Sequence, residues 1–219
     1  MTLRIPFRSP GDDERGIAFV EFALALPLVL GLTIGGLEMA NFIIANNAVQ
    51  RLATMSADML SQAGMNNQPT SEAQIYDMFY ALDSSGKPLN LRQHGRIILT
   101  VIKGVGQSNG SVRNEFADSH VYSQQFDGGY VSAAPLMGCH SKVTLPTFGR
   151  TLPLNEIMVH AQASYRYQPL FLRSSVLGYF SVPQDITRTA VFRMRKNTWN
   201  IINDGSHPSK KNCDTPDGL

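Results

Sequence analysis

From Phe22 to Leu37 the chain reads FALALPLVLGLTIGGL, sixteen residues without a charge, and apolar character resumes after Glu38 with Met39, Ala40, Phe42, Ile43 and Ile44. Sixteen residues fall short of the roughly 20 that cross a bilayer core. The 28 from Ile17 to Ile44 exceed it, so the pattern predicts one membrane-spanning helix with room to tilt. Farther along, Ala45, Ala48, Leu52, Met55 and Met59 recur at spacings of three and four. They form one apolar stripe that needs a surface to cover it. As one helix, residues 17–63 would be about 70 Å long at ~1.5 Å per residue. The first half would lie in lipid and the second on a folded domain. Gly64, followed by Asn66, Asn67 and Pro69, reads as the stop.

The period then changes. Ser71-x-x-Gln74 has the form of a capping box, and Ile75, Met78, Phe79 and Leu82 follow at helical spacing, which predicts a short amphipathic helix over residues 71–82. Ser84-Ser85-Gly86-Lys87-Pro88 ends it. Ile97 to Lys103 is a β-branched run, Val159, Ala161, Ala163, Tyr165 and Tyr167 alternate with polar residues, and Ala190, Phe192 and Met194 repeat the alternation. Residues 104–155 are rich in Gly, Ser, Asn and Pro and predict long loops around one strand near Val121 to Phe126. The expected architecture is α+β, a long helix laid on an antiparallel sheet. Its segments are a leader over 1–16, the helix over 17–63, an extracytoplasmic domain over 64–202 and a polar tail over 203–219.

Composition adds limits. With 43% hydrophobic and 16% charged residues the body can bury a core. A net charge of +2, with the short clusters Arg193, Arg195, Lys196 and Lys210, Lys211, reads as solvated surface and argues against nucleic acid as a partner. Cys139 and Cys213 lack the paired spacing of a zinc module. A disulfide between them is the expected state in an oxidising compartment, with two free thiols as the alternative. The bridge would fasten the tail and, on the chain-entropy account, stabilise the fold by up to roughly 4 kcal/mol.

Arg4, Arg8 and Arg15 precede the span, and only Arg51 follows within about 20 residues. The expected orientation therefore puts the N-terminus in the cytoplasm and the domain outside it. No small-residue cleavage site of the secretory type follows the apolar run, so the segment is expected to stay in the mature protein. Glu21 stands out at the edge of the span, because a carboxylate costs about 2.5–3.5 kcal/mol if drawn to the bilayer centre. Either it sits in the headgroup layer or it has a partner. Pro27 removes the hydrogen bond to the carbonyl of Ala23 and can kink the helix, although membrane helices also tolerate proline. Gly31-x3-Gly35, beside Gly36, permits close approach of another helix.

Gly16-Ile17-Ala18-Phe19-Val20-Glu21-Phe22 resembles the processing motif of the tight-adherence (Tad/Flp) branch of type IV pilins, and the wider stretch RGIAFVEFALALPLVL, with Pro27, is similar to the start of the TadE-like minor pilins or pseudopilins. Downstream, VHAQASYRYQPLF (Val159 to Phe171) and the strand around Ala190 to Arg195 resemble that family's C-terminal half. The resemblance implies that a prepilin peptidase cuts after Gly16, making Ile17 the first mature residue, Glu21 the fifth and Phe22 the sixth. It implies that Glu21 neutralises the new amine of a neighbouring subunit, so that correct packing removes two unfavourable charges together. The partners it implies are the membrane, the peptidase, other pilin or pseudopilin subunits and the pilus assembly platform.

Catalytic patterns do not emerge. Gly104-x-Gly106 followed by Gly110 lacks the spacing of a dinucleotide loop, and His94, His120, His140, His160 and His207 lack H-E-x-x-H spacing. Asp118, Asp127 and Asp185 lie near turns without a calcium-loop pattern. The expectation is a non-enzymatic protein with no cofactor, metal or small-molecule substrate. It would act in assembly or priming of an adhesive, biofilm-forming pilus, or else as an uncleaved, membrane-anchored periplasmic scaffold or binding protein of such a machine.

Overall fold

The computed structural model describes residues 14–63, 68–117, 123–127, 134–137, 151–171, 185–196, 198–202 and 205, with backbone alone at 14, 15 and 123–127. One helix, α1, runs from Glu14 to Gln62 without a break at Pro27. Its 49 residues span about 73 Å at ~1.5 Å per residue. Its described part begins at Glu14, three residues ahead of the expected start at Ile17. The expected stop residue Gly64 lies outside the described residues, as do Cys139 and Cys213.

The halves of α1 live in different surroundings. Every residue from Gly16 to Leu37 is exposed, and the most apolar window of the helix has a mean hydropathy of 2.3 with none of it buried. By length and composition it can cross a membrane. From Ala45 onward the helix lies on the sheet. There the fully covered stripe is Ala45, Val49, Leu52, Ala53, Ala57 and Leu60. Ala48, Met55 and Met59, expected as members of the stripe, are only partly buried at its flank.

After β1 (Thr70–Ser71), the second helix α2 (Glu72–Ser85) starts at the expected capping box, in which Gln74 N–H donates to the Ser71 hydroxyl at 3.2 Å. It presents Ile75, Phe79 and Leu82 to the core and ends at Ser85, three residues past the expected Leu82, with Gly86 as its C-cap. A 3-10 turn (Lys87–Leu89) and the short α3 (Leu91–His94) lead into the central strand β2 (Gly95–Gly106). One edge of β2 is shared by β4 (Ser123–Asp127), opposite Arg96 to Thr100, and by β3 (Val112–Phe116), opposite Ile102 to Gly106. The other edge pairs with β5 (Ile157–Arg166), which pairs with β6 (Asp185–Arg193), all antiparallel. β7 (Ile201–Ile202) pairs in parallel with β1. The α+β architecture stands. β3 was not expected, since VRNEF has neither a β-branched run nor alternation; it forms because the turn at Gln107–Gly110 folds it back onto β2.

Ile97, Leu99 and Val101 of β2 and Val159, Ala161, Ala163 and Tyr165 of β5 face α1 and α2 in one core. Polar residues alternate with them along β5, where a sheet covered on one face only would leave them in water. Instead His160, Gln162 and Ser164 are buried as well, because segments 134–137 and 151–154 lie over the second face. There Gln162 accepts from the Leu136 amide at 2.8 Å and donates to the Ala134 carbonyl at 3.1 Å, while Met137 and Leu152 pack on Ile102.

Candidate functional site

The start of α1 carries the processing-like motif. The first four amides of a helix have no intrahelical acceptor, and glycine within a helix costs about 1 kcal/mol relative to alanine. The Gly16–Ile17 bond therefore lies in the stretch of α1 that unwinds most cheaply. A Cβ at Gly16 would meet nothing within 4 Å, so this glycine serves no packing need among the described residues. The same holds at Gly31, Gly35 and Gly36. Gly16, Ile17, Val20 and Glu21 line one open face of the helix, and Phe22 is exposed beside them. The hydroxyl of Thr33 donates to the carbonyl of Val29 at 2.8 Å, which satisfies this polar group within the apolar stretch.

Glu38 was read in the sequence only as an interruption of the apolar run. It is 4% exposed, the first buried residue of the helix. Beyond β5 the chain crosses α1, and there the Tyr167 hydroxyl donates to Glu38 Oε1 at 2.5 Å. The amides of Leu170 and Phe171 donate to Oε2 at 3.1 and 3.0 Å. Asn41, one turn on, donates through Nδ2 to the Tyr167 oxygen at 2.8 Å, and Phe42 meets the Tyr167 ring edge-on at 5.3 Å between centroids. Burial and the adjacent carboxylate push the Tyr167 phenol up to about 12. The one sequence signal for this site is the pairing of a lone carboxylate in apolar helix with a Tyr-x-Tyr at a strand end; sequence spacing alone cannot link residues 129 apart.

Among the described residues, several other charged side chains are engaged in surface pairs. Asp185 pairs with Arg166 at 3.2 Å, Arg193 with Glu156 at 3.2 Å and Arg92 with Asp83 at 2.7 Å, while Arg113 bonds Glu115 along β3. Lys196 lies 5.7 Å from the centre of the Trp199 ring and donates to the Gln68 carbonyl. His160 is 2% exposed, neither ring nitrogen has a partner among the described residues, and burial lowers it to about 4. Gly104 lies in β2 against Pro153, where a Cβ would come within 2.2 Å of the carbonyl oxygen. This close approach accounts for a glycine at that position. Among the described residues, no cluster of three or more His, Cys, Asp or Glu side chains could hold a metal ion. Asp118, His120, His140, His207, Lys210 and Lys211 lie outside the described residues.

A family model described as "TadE-like protein" matches residues 16–58. The match takes in Gly16, Glu21, Pro27 and Glu38 and ends within α1, ahead of the sheet. No curated protein and no solved structure matches the chain.

Proposed function

Starting from that TadE-like segment, we propose that the chain is a minor pilin or pseudopilin of a tight-adherence pilus system. It is held in the inner membrane by α1, with its N-terminus in the cytoplasm and its sheet domain in the periplasm. A prepilin peptidase removes the leader after Gly16. The mature helix then packs against other pilin or pseudopilin subunits, in the pilus or in a priming complex on the assembly platform. The role is one of assembly and surface adhesion, without catalysis. The observation that carries this reading is the helix from Gly16 to Leu37, whose motif, glycines and apolar side chains are all exposed among the described residues. Such a surface suits lipid first and neighbouring helices afterwards.

In this scheme Glu21 neutralises the amine created at Ile17 when a neighbour docks in register. The mature N-terminus, determined by mass spectrometry of protein from the native membrane, tests the scheme directly. Ile17 as first residue supports it. An intact leader would place the chain in the alternative class, an uncleaved membrane-anchored scaffold of the same machine. Glu21→Ala should leave membrane insertion intact and lower incorporation into pili or the priming complex; unaltered incorporation would remove Glu21 from the mechanism.

A further inference from the structure

The uncharged stretch between Glu21 and Glu38 is sixteen residues, about 24 Å at ~1.5 Å per residue, some 6 Å less than the ~30 Å hydrocarbon core. One end of the helix must therefore be drawn farther into the bilayer, and the two ends differ in cost. Extension at the inner end would submerge Glu21, which is exposed and has no partner among the described residues. Extension at the outer end submerges Glu38, already met by the Tyr167 hydroxyl and two backbone amides. A carboxylate with those donors in place can approach hydrocarbon without being stripped bare.

The surface around Glu38 matches that direction. On α1 the side chains of Leu37, Met39, Ile43 and Ile44 are exposed. The two residues whose amides grip the carboxylate, Leu170 and Phe171, hold their own side chains outward at 63% and 58% exposure. Counting outward to Ile44 gives 23 residues from Phe22, about 34 Å, which spans the core with modest tilt. We propose that Leu170 and Phe171 form a membrane foot. They insert beside α1 into the outer face of the bilayer, so that the sheet domain sits directly on lipid, with Glu38 as the fastening between foot and helix.

This inference rests on α1 spanning the membrane, and the test separates the two. The chain has a single tryptophan, Trp199, which follows Lys196 and Arg195; the latter's amide bonds the Ser61 carbonyl, 23 helix positions beyond Glu38. Trp199 thus lies far from the foot and serves as an internal reference. Full-length Phe171→Trp and Leu30→Trp proteins are reconstituted at low density in phosphatidylethanolamine–phosphatidylglycerol vesicles carrying phosphatidylcholine brominated at its upper or its lower acyl carbons. The added emission of Phe171→Trp should be largely lost with the upper bromines and shielded from aqueous acrylamide, while Trp199 emission persists. Leu30→Trp should be quenched by the lower bromines. Loss at Leu30→Trp with bromine-insensitive Phe171→Trp overturns the foot and leaves the span standing, whether the residue proves open to acrylamide or covered by a second copy of the chain. An unquenched Leu30→Trp overturns both.

Discussion

The Tyr167 hydroxyl and the Glu38 carboxylate meet at 2.5 Å, joining the end of β5 to the turn of α1 where the exposed helix gives way to the covered one. With Asn41 bonded to the same phenol, removing that oxygen leaves two polar groups short of a partner. Tyr167→Phe should cost about 1–3 kcal/mol. Chemical denaturation in detergent measures it, and in Glu38→Gln the same substitution should cost less, since the charged acceptor is gone. The phenol is neutral when protonated and its folded value is raised from 10.0 to about 12. Stability is therefore unaffected by this group below pH 10 and falls as pH rises from 10 toward 12. Tyr167→Phe should flatten that part of the profile.

His160 should make the domain acid-sensitive. Its folded value, lowered by burial to about 4 from 6.5, favours the neutral ring. The stability this confers is complete above pH 6.5 and is lost as pH falls toward 4, about 2–3 kcal/mol by pH 4.5. Urea titrations of the wild type and His160→Gln at pH 7.5 and 4.5 should show a smaller difference between the two pH values in the variant.

The helix–sheet seam should reject bulk more than it rejects a change of shape. Ala57 is fully buried, so Ala57→Leu should destabilise by about 1–3 kcal/mol through overpacking. Leu60→Ala at the same seam should cost about 2–5 kcal/mol through a cavity. Met59→Leu, at the partly buried flank, should fall below about 1.5 kcal/mol. Denaturant midpoints for the three variants give the order.

Two glycines of β2 should respond differently to the same methyl group. At Gly104 the added carbon meets backbone oxygen of Pro153 at 2.2 Å, whereas at Gly106 it meets only the tip of Leu154 at 3.2 Å. Gly104→Ala should lower the melting temperature of the domain clearly, by about 1–3 kcal/mol of stability. Gly106→Ala should shift it little, since a side-chain end can move aside.

Much of the fold was legible because its signals are local. A capping box at Ser71 and Gln74 needs only four residues to form, and it formed as expected. The run at Ile97 and the alternation from Val159 carry their strand period within a few residues, and both became strands at the centre of the sheet. VRNEF carried no such signal, because its pairing depends on a turn and on the strand it returns to. The methionines of α1 suggested a stripe in the right place but slightly rotated. Apolar character alone does not separate a residue that faces the sheet from one that leans on its edge.

What the sequence alone determined is the division of α1, since a charge-free run followed by an apolar period needs no partner to be read. It also carried the Gly16, Glu21 and Phe22 motif, because that signal lies within seven consecutive residues. Only the tertiary structure decided that Glu38 is a fastening point, that His160, Gln162 and Ser164 lie under a second layer, and that Leu170 and Phe171 stand outward beside the helix. Each of these depends on which distant segments meet, and a carboxylate's cost or usefulness is set by the donors that surround it, which a sequence does not place in space.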